Sequence, residues 1–309
     1  MQKEKVIIIG SGPAGLASAL YTGRAGLKPL VLSGLEFGGQ ISLTYDVDNY
    51  LGFADGTTGP DLIEQMSKHV NKFDAQVVFE EVTEVDLKNG SPFTVKTYGK
   101  EYQSEALVIA TGASPRRLNV KGEDTFIGHG ISFCATCDGF FFKEKEVCVI
   151  GGGDSAIEES LFLTRFAKRI RVIHRRDELR AGEQLKKAAF DHEKIEFIWD
   201  SVVEEILGDD KVRGLNIKNM KTGQVRHLDT EGVFIFIGHY PNSKLFKGQL
   251  DMTEDGYLIT DEKMMTSVQG VFACGENQDR LYRQIATSVG QGSGAGIMVD
   301  RWLRERGAF

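Results

Sequence analysis

The chain has 309 residues, 41% hydrophobic and 26% charged, the balance of a well-packed globular protein of about two domains. A net charge of −7, from 44 acidic and 37 basic residues, speaks against nucleic acid as a partner, because duplex binding rests on neutralising phosphates. Glycine is abundant at 36 and proline scarce at 6, with no fibrous period, which suggests tight turns and close backbone approaches to ligands.

The N-terminus, Met1-Gln2-Lys3-Glu4-Lys5, runs directly into the apolar strand Val6-Ile7-Ile8-Ile9. That run is too short for a signal-peptide core or a membrane span, and no other stretch reaches spanning length, so a cytoplasmic location and no membrane partner are expected. In a reducing compartment the four cysteines are not expected to be structural staples, so a close pair points to redox or metal chemistry.

The first strand ends in Gly10-Ser11-Gly12-Pro13-Ala14-Gly15, followed by the helix-forming Leu16-Ala17-Ser18-Ala19-Leu20-Tyr21. Strand, glycine turn and helix in that order form a dinucleotide-binding context. Gly10 allows the turn, Gly12 lets the backbone approach a pyrophosphate, and Gly15 lets helix and strand pack closely. The pyrophosphate would rest on the helix N-terminus, where free N–H groups favour negative charge. The next strand, Pro29-Leu30-Val31-Leu32, ends in Ser33-Gly34 without the usual carboxylate, so ribose binding at this site must come from elsewhere.

The same pattern recurs midway. Val147-Cys148-Val149-Ile150 leads into Gly151-Gly152-Gly153-Asp154-Ser155-Ala156, a fingerprint with alanine in the third place, and then into the helical Ile157-Glu158-Glu159-Ser160-Leu161-Phe162-Leu163. Each unit is matched later by another strand and glycine: Ala106 to Ile109 before Ala110-Thr111-Gly112, and Val233 to Ile237 before Gly238. Two nucleotide-binding units in series predict an α/β protein with two Rossmann-like, three-layer domains, their parallel sheets covered on both faces and ligands at the strand carboxyl ends. A third glycine-rich strand end, Gly270-Val271-Phe272-Ala273-Cys274-Gly275-Glu276, starts no full repeat. The tail is therefore expected to return to the first domain, with the second inserted. The crossings are placed near residues 114–119 and 240–246, giving a first domain over 1–116 and 245–309 and an inserted domain over 117–244.

At the second site the strand Ile170-Arg171-Val172-Ile173 ends in His174-Arg175-Arg176, with Arg180 shortly after. No carboxylate stands where an NAD site would hold the ribose hydroxyl. Planar guanidinium groups at Arg175, Arg176 and Arg180 suit a 2′-phosphate, which favours NADPH. The neighbouring Arg165, Lys168, Arg169 and Arg171 read better as a solvated basic face.

Between the two units lies Phe133-Cys134-Ala135-Thr136-Cys137-Asp138-Gly139. Two residues between cysteines allow a readily exchanged disulfide. Structural zinc would need four ligands, and Cys148 and Cys274 sit singly in apolar strands, so no metal is expected and those two read as inert core residues. Asp138 is placed to move a proton at a thiol or thiolate, and it also suits a turn before Gly139. Of the three aromatics Phe140-Phe141-Phe142, at least one is expected to face a partner or a domain interface, since a helix or strand cannot point all three at one core.

Taken together these segments resemble the low-molecular-weight, bacterial-type thioredoxin reductases, class II pyridine nucleotide-disulfide oxidoreductases, over nearly the whole chain. The most specific element is Cys134-Ala135-Thr136-Cys137-Asp138-Gly139 just before the second fingerprint. Gly38-Gly39-Gln40, Ala110-Thr111-Gly112, His174-Arg175-Arg176 with Arg180, Gly238-His239 with Pro241-Asn242, and Tyr282-Arg283-Gln284 belong to it too. The resemblance implies FAD contacts from Gly10 to Gly15, Ser33, Gly38 to Gln40, Asn49, Ala110 to Gly112, and the stretch Gly275 to Gln284, within which Gly275, Glu276, Arg283 and Gln284 are picked out together with Ile285. It implies NADPH contacts from Gly151 to Ala156, His174 to Arg176, Arg180 and Gly238. It further implies that Cys137 lies nearest the flavin, that Cys134 attacks oxidised thioredoxin, that Asp138 is the acid/base, that the two domains rotate against each other about the crossings, and that the protein is a homodimer. Two departures stand out: Glu276 replaces the family's usual aspartate at the flavin's ribityl chain, and Leu51 replaces the usual proline between Asn49 and Gly52. A ferredoxin-dependent reductase of the same fold, a reductase of another disulfide protein, and a non-catalytic flavin redox sensor are the competing readings.

Overall fold

The computed structural model describes residues 2–44 and 46–307, and the chain divides into two compact units, residues 1–114 with 240–309, and residues 115–239. In chain order the first unit begins with β1 (Gln2–Ile9), α1 (Pro13–Arg24), β2 (Leu30–Leu32), α2 (Gly59–Asn71), β3 (Gln76–Val78), β4 (Val82–Asp86), β5 (Phe93–Thr97) and β6 (Glu101–Ile109). Strands β3, β2, β1 and β6 lie side by side and parallel, and β4 and β5 extend the sheet antiparallel from the first half of β6.

Strand alternation decides which core each side chain enters. Val6 and Ile8 point to the helices and pack with Leu16 and Ala19 of α1, whereas Ile7 and Ile9 join Val85, Phe93 and Val95 on the other face. All four are buried. A strand buried on both faces reads as a continuous apolar run, which is why β1 shows no polar alternation.

The second unit repeats this plan with β7 (Ile131–Ser132), a single helical turn at Ala135–Asp138, β8 (Glu146–Gly151), α3 (Asp154–Leu163), β9 (Arg169–Ile173), α4 (Glu183–Phe190), β10 (Ile195–Ile198), β11 (Ser201–Gly208), β12 (Val212–Asn219), β13 (Val225–Asp229) and β14 (Gly232–Phe236). Its parallel sheet runs β7-β14-β8-β9-β10. Val147 and Val149 face α3 and α4, while Cys148 and Ile150 face the antiparallel ribbon β11-β12-β13 through Val203, Ile206, Leu215 and Ile217. The second face of each parallel sheet is thus covered by strands and loops. The ribbon carries little period-2 signal because register shifts between Val203 and Glu205, and between Leu207 and Gly208, break its alternation.

The chain then returns to the first unit. β15 (Val271–Ala273) pairs parallel with the second half of β6, and α5 (Ile285–Glu305) lies along α1. The approach is close enough that a side chain at Gly292 would run into the carbonyl of Ala14. Among the described residues no helix is long and apolar enough to cross a membrane.

Candidate functional site

In the first unit the carboxyl ends of β1, β2, β6 and β15 gather the sequence-picked residues at one edge of the sheet. Gly10 has φ +110°, and a Cβ there would strike the carbonyl of Ala110. At Gly15 a Cβ would strike the carbonyl of Gly10. Gly12 differs: the nearest atom to a Cβ would be Gly38 O at 3.8 Å, so its glycine answers no crowding from the protein. The turn leaves open space where a pyrophosphate would approach. Gly12 caps α1, which begins at Pro13 with Ala14 following, and it supplies no side-chain hydrogen bond to the helix N-terminus.

The surrounding loops are tied to this turn. Gly38 N–H donates to Ser11 Oγ at 3.0 Å, which fixes the Gly38-Gly39-Gln40 segment against it. Ser33 is buried at the end of β2, its N–H donating to Val78 O. Asn49 Nδ2 donates to Gln284 Oε1 at 3.3 Å, and Gln284 closes a capping box with Thr287 just ahead of Ile285, the first residue of α5. Arg283 donates to the Tyr257 hydroxyl at 3.2 Å.

Asn277, which the motifs do not single out by itself, is fully buried and donates to Ile109 O (2.9 Å) and Thr111 Oγ1 (3.3 Å), while among the described residues its Oδ1 has no partner. A buried acceptor without a donor costs about 1–3 kcal/mol, so this atom fits a hydroxyl or N–H supplied by a ligand. Asp279, also not singled out, accepts the N–H groups of Leu281 and Tyr282 and so shapes the loop before Arg283. Burial pushes the Glu276 carboxyl up to about 7 from 4.5, against the opposing pull of Arg283. These groups fit a flavin nucleotide: a glycine turn open to phosphate, an unpaired buried acceptor, and a carboxyl that can stay protonated.

The second unit builds the same cradle. Gly151 (φ +152°) is crowded by Phe236 O and by the Cβ of Ala156, whereas nothing lies within 4 Å of a Cβ at Gly153, which precedes Asp154 and Ser155 at the start of α3. Gly152 is glycine because the His174 ring fills the space a side chain would need. His174 is thus buried beneath the turn, and burial lowers its pKa. Arg175, Arg176 and Arg180 are exposed, and Arg180 N–H donates to Gly152 O at 2.7 Å. Asp154 accepts Gly182 N–H at 2.7 Å, so the arginine-bearing loop is fastened to the glycine turn at both of these points. Gly238 (φ +103°) lies just past β14. Open backbone at Gly153 beside exposed guanidinium groups suits a phosphorylated dinucleotide. Arg171, by contrast, is bound to Glu146 at 2.6 Å, in keeping with a structural part.

Cys134 and Cys137 form a disulfide, with Cα atoms 5.3 Å apart. The helical turn between them follows β7 and is held by short-range bonds: Cys134 N–H to Ser132 Oγ (3.1 Å), Cys137 N–H to Cys134 Sγ (3.2 Å) and Asp138 N–H to Cys134 O (3.2 Å). Asp138 is half-buried at the end of this turn. Glu159 of α3, which no motif singles out, accepts Ala135 N–H at 3.0 Å. Phe140 is exposed, Phe141 packs partly against the core and Phe142 is buried against Phe234. Burial pushes the free thiols of Cys148 and Cys274 up to about 11 and about 12, which leaves them inert as nucleophiles.

The match to known proteins is extensive. Residues 4–292 fit the family model of pyridine nucleotide-disulphide oxidoreductases. A thioredoxin reductase of Rickettsia felis is 47% identical over 306 residues, covering 97% of this chain and 98% of the relative. The crystal structure of thioredoxin reductase from Streptococcus pyogenes superposes with a TM-score of 0.94 at 42% identity, covering 98% and 99% of the two chains. That of Lactococcus lactis thioredoxin reductase, described as the FR conformation, gives 0.66 at 40% identity with the same coverage. Two repeated nucleotide cradles, a disulfide on a helical turn and this likeness along the whole length lead to one conclusion: the chain belongs to the pyridine nucleotide-disulphide oxidoreductases and, among them, to the thioredoxin reductase family of flavin-dependent disulfide oxidoreductases.

Proposed function

We propose that the chain is an NADPH-dependent thioredoxin-disulfide reductase that holds FAD in its first unit and NADPH in its second. The observation that carries this reading is the pairing of two open glycine turns, at Gly12 and Gly153, with a disulfide at Cys134–Cys137. Flavin, when bound, couples a two-electron hydride donor to a disulfide. The chain's own groups do the rest. Gly10 to Gly15 and the start of α1 receive the FAD pyrophosphate, and Asn277 Oδ1 accepts from the cofactor. Glu276 stands at the ribityl position, one methylene longer than the family's aspartate. Arg175, Arg176 and Arg180 bind the 2′-phosphate, with His174 bracing the turn from below.

When the disulfide opens, two electrons and two protons arrive, and Asp138 handles a proton at sulfur. Cys134 then attacks the disulfide of thioredoxin, a mixed disulfide forms, and Cys137 displaces the reduced partner, restoring the Cys134–Cys137 bond. Exposed Phe140, close in sequence to the pair, suits contact with that protein. The disulfide belongs to one unit and the flavin turn to the other, and the rotation of the two domains that the resemblance implies is part of this reading. A homodimer, which the family resemblance implies, acting in the cytoplasm completes the reading.

Anaerobic mixing of the yellow protein with NADPH tests the core of it. Flavin absorbance is expected to bleach rapidly and to recover on adding oxidised thioredoxin; a flavin spectrum untouched by NADPH would overturn the proposal. Replacing Arg175 and Arg176 with alanine should raise KM for NADPH about 10- to 100-fold, the worth of one or two charge-assisted hydrogen bonds, with little change for NADH.

A further inference from the structure

Ala135 is the first helical residue after Cys134, and it is fully buried. Its N–H points into the protein and donates to Glu159 Oε2 at 3.0 Å. Glu159 sits on α3, the helix that opens with the second glycine turn, so an acceptor from a rigid element reaches 24 residues back to the redox turn. On the other side of Cys134, Ser132 Oγ accepts Cys134 N–H and donates to Cys134 O, both at 3.1 Å. The amides before and after the reactive sulfur are therefore both held by side chains outside the four-residue turn.

The two redox states need this holding to different degrees. With the disulfide closed, a covalent bond fixes the turn. With it open, Cys134 and Cys137 can stay together only through hydrogen bonds and packing. The closing reaction is intramolecular, and its equilibrium rises with the fraction of time the two sulfurs spend within reach of each other. Removing the acceptor for a buried N–H penalises the closed turn by the cost of an orphaned donor, about 1–3 kcal/mol. The dithiol can relieve that penalty by letting the turn open to water, but the disulfide cannot.

We propose that Glu159 is a positioning residue that braces the dithiol form of the Cys134–Cys137 turn in its closure-ready shape, keeping the pair strongly reducing. The role goes to the acceptor oxygen rather than to the charge. It rests on the reading of Cys134 and Cys137 as the exchanging pair. Asp138, the other carboxylate of the turn, keeps its separate part in proton transfer.

The test uses flavin-loaded protein equilibrated anaerobically over a series of ratios of reduced to oxidised dithiothreitol, then acid-quenched, with Cys134 and Cys137 thiols counted by alkylation and mass. At equilibrium the reductant's two thiols close to a ring, losing two electrons and two protons, as the Cys134–Cys137 bond breaks and each sulfur gains a proton. Glu159→Ala is expected to reach half-reduction at a ratio about two- to tenfold lower than the unaltered chain, the range of one net hydrogen bond. Glu159→Gln, which keeps an acceptor oxygen, should stay within about twofold of the unaltered chain. Flavin absorbance of each variant, read before reductant is added, checks that it is folded and loaded. An alanine variant with an unshifted midpoint would overturn the proposal, and so would a glutamine variant that moves as far as alanine. Since NADPH takes no part, failure of NADPH to bleach the flavin would undo the reductase reading and leave this measurement intact.

Discussion

The two units are written on one plan and end in opposite chemistry. Val6 lies opposite Ala106 and Val147 opposite Gly232, which aligns β1 with β8 and β6 with β14. On that alignment Val271, opposite Leu107, corresponds to Ile131, opposite Val233. Three residues further on, Cys274 of the first unit corresponds to Cys134 of the second. The same place at the end of the same edge strand thus carries a buried thiol pushed up to about 12 in one unit and half of an exchangeable disulfide in the other. The difference arises in the residues just past the strand. After Cys274 the chain takes a glycine turn with φ +80° and, among the described residues, leaves the buried Asn277 Oδ1 without a donor. After Cys134 it winds into a helical turn that brings a second sulfur within bonding reach. Topology sets where chemistry can happen, and a few residues after the strand decide which chemistry it is.

The sharpest way to break the comparison is to strike the disulfide of one unit, through Cys137, and the buried thiol of the other. Cys137→Ser should still allow NADPH to bleach the flavin, yet lower thioredoxin turnover by about a thousandfold or more, the scale on which loss of a covalent nucleophile is felt. Cys274→Ala should leave turnover within about twofold and lower the midpoint of thermal unfolding by only the few degrees that go with about 1 kcal/mol of lost packing. Normal turnover in the first variant would remove Cys137 from the relay, and a dead enzyme in the second would end the claim that Cys274 is inert.

The glycine turns offer a second, smaller contrast. Gly10→Ala combines a positive φ with a clash against Ala110 O and should destabilise the first unit by about 3 kcal/mol or more. Gly12→Ala meets no protein atom nearer than 3.8 Å and should stay within about 0.5 kcal/mol of the parent while losing affinity for flavin. Denaturant midpoints of the flavin-free chains, set beside flavin titrations, read the two effects separately. Equal stabilities for the pair would mean that the turn tolerates a side chain at both places.

A third contrast, spread over pH, concerns Glu276, which has no carboxylate counterpart at Thr136, its equivalent in the second unit. Its folded pKa of about 7 lies above the unfolded 4.5, so the native state holds the proton more tightly. The associated stability is fully present below about pH 4.5 and is lost as pH rises through about 7, amounting to roughly 3 kcal/mol at most. In flavin-free protein, unfolding free energy should therefore fall between about pH 5 and 7, and Glu276→Gln should flatten that slope. A slope that the glutamine variant leaves untouched would assign the proton elsewhere.

Much of the site was legible in the sequence because its parts are covalent neighbours. The glycine turns, the Cys134–Cys137 spacing and the arginines after β9 each lie within a few residues of one another, and the strand–turn–helix context gives each a geometry. The parts that stayed hidden depend on the sheets. Asn277 meets Ile109 across 168 residues and Glu159 meets Ala135 across 24, distances set by strand register and helix packing that no local pattern encodes. His174 belongs to a recognisable motif, yet only the packed structure puts its ring beneath Gly152. The ribbon β11-β12-β13 was obscured by its own register shifts, which scramble the alternation that announces a strand.

The late return of β15 and α5 has a consequence for how the protein is made. Residues 115–239 are one uninterrupted stretch whose sheet is complete once β14 has been synthesised. The first sheet still lacks β15, and α1 still lacks the cover of α5, until residues 271–305 have left the ribosome. The unit begun second can therefore reach its native form first, while the opening strands wait, partly uncovered, for a much later part of their own chain.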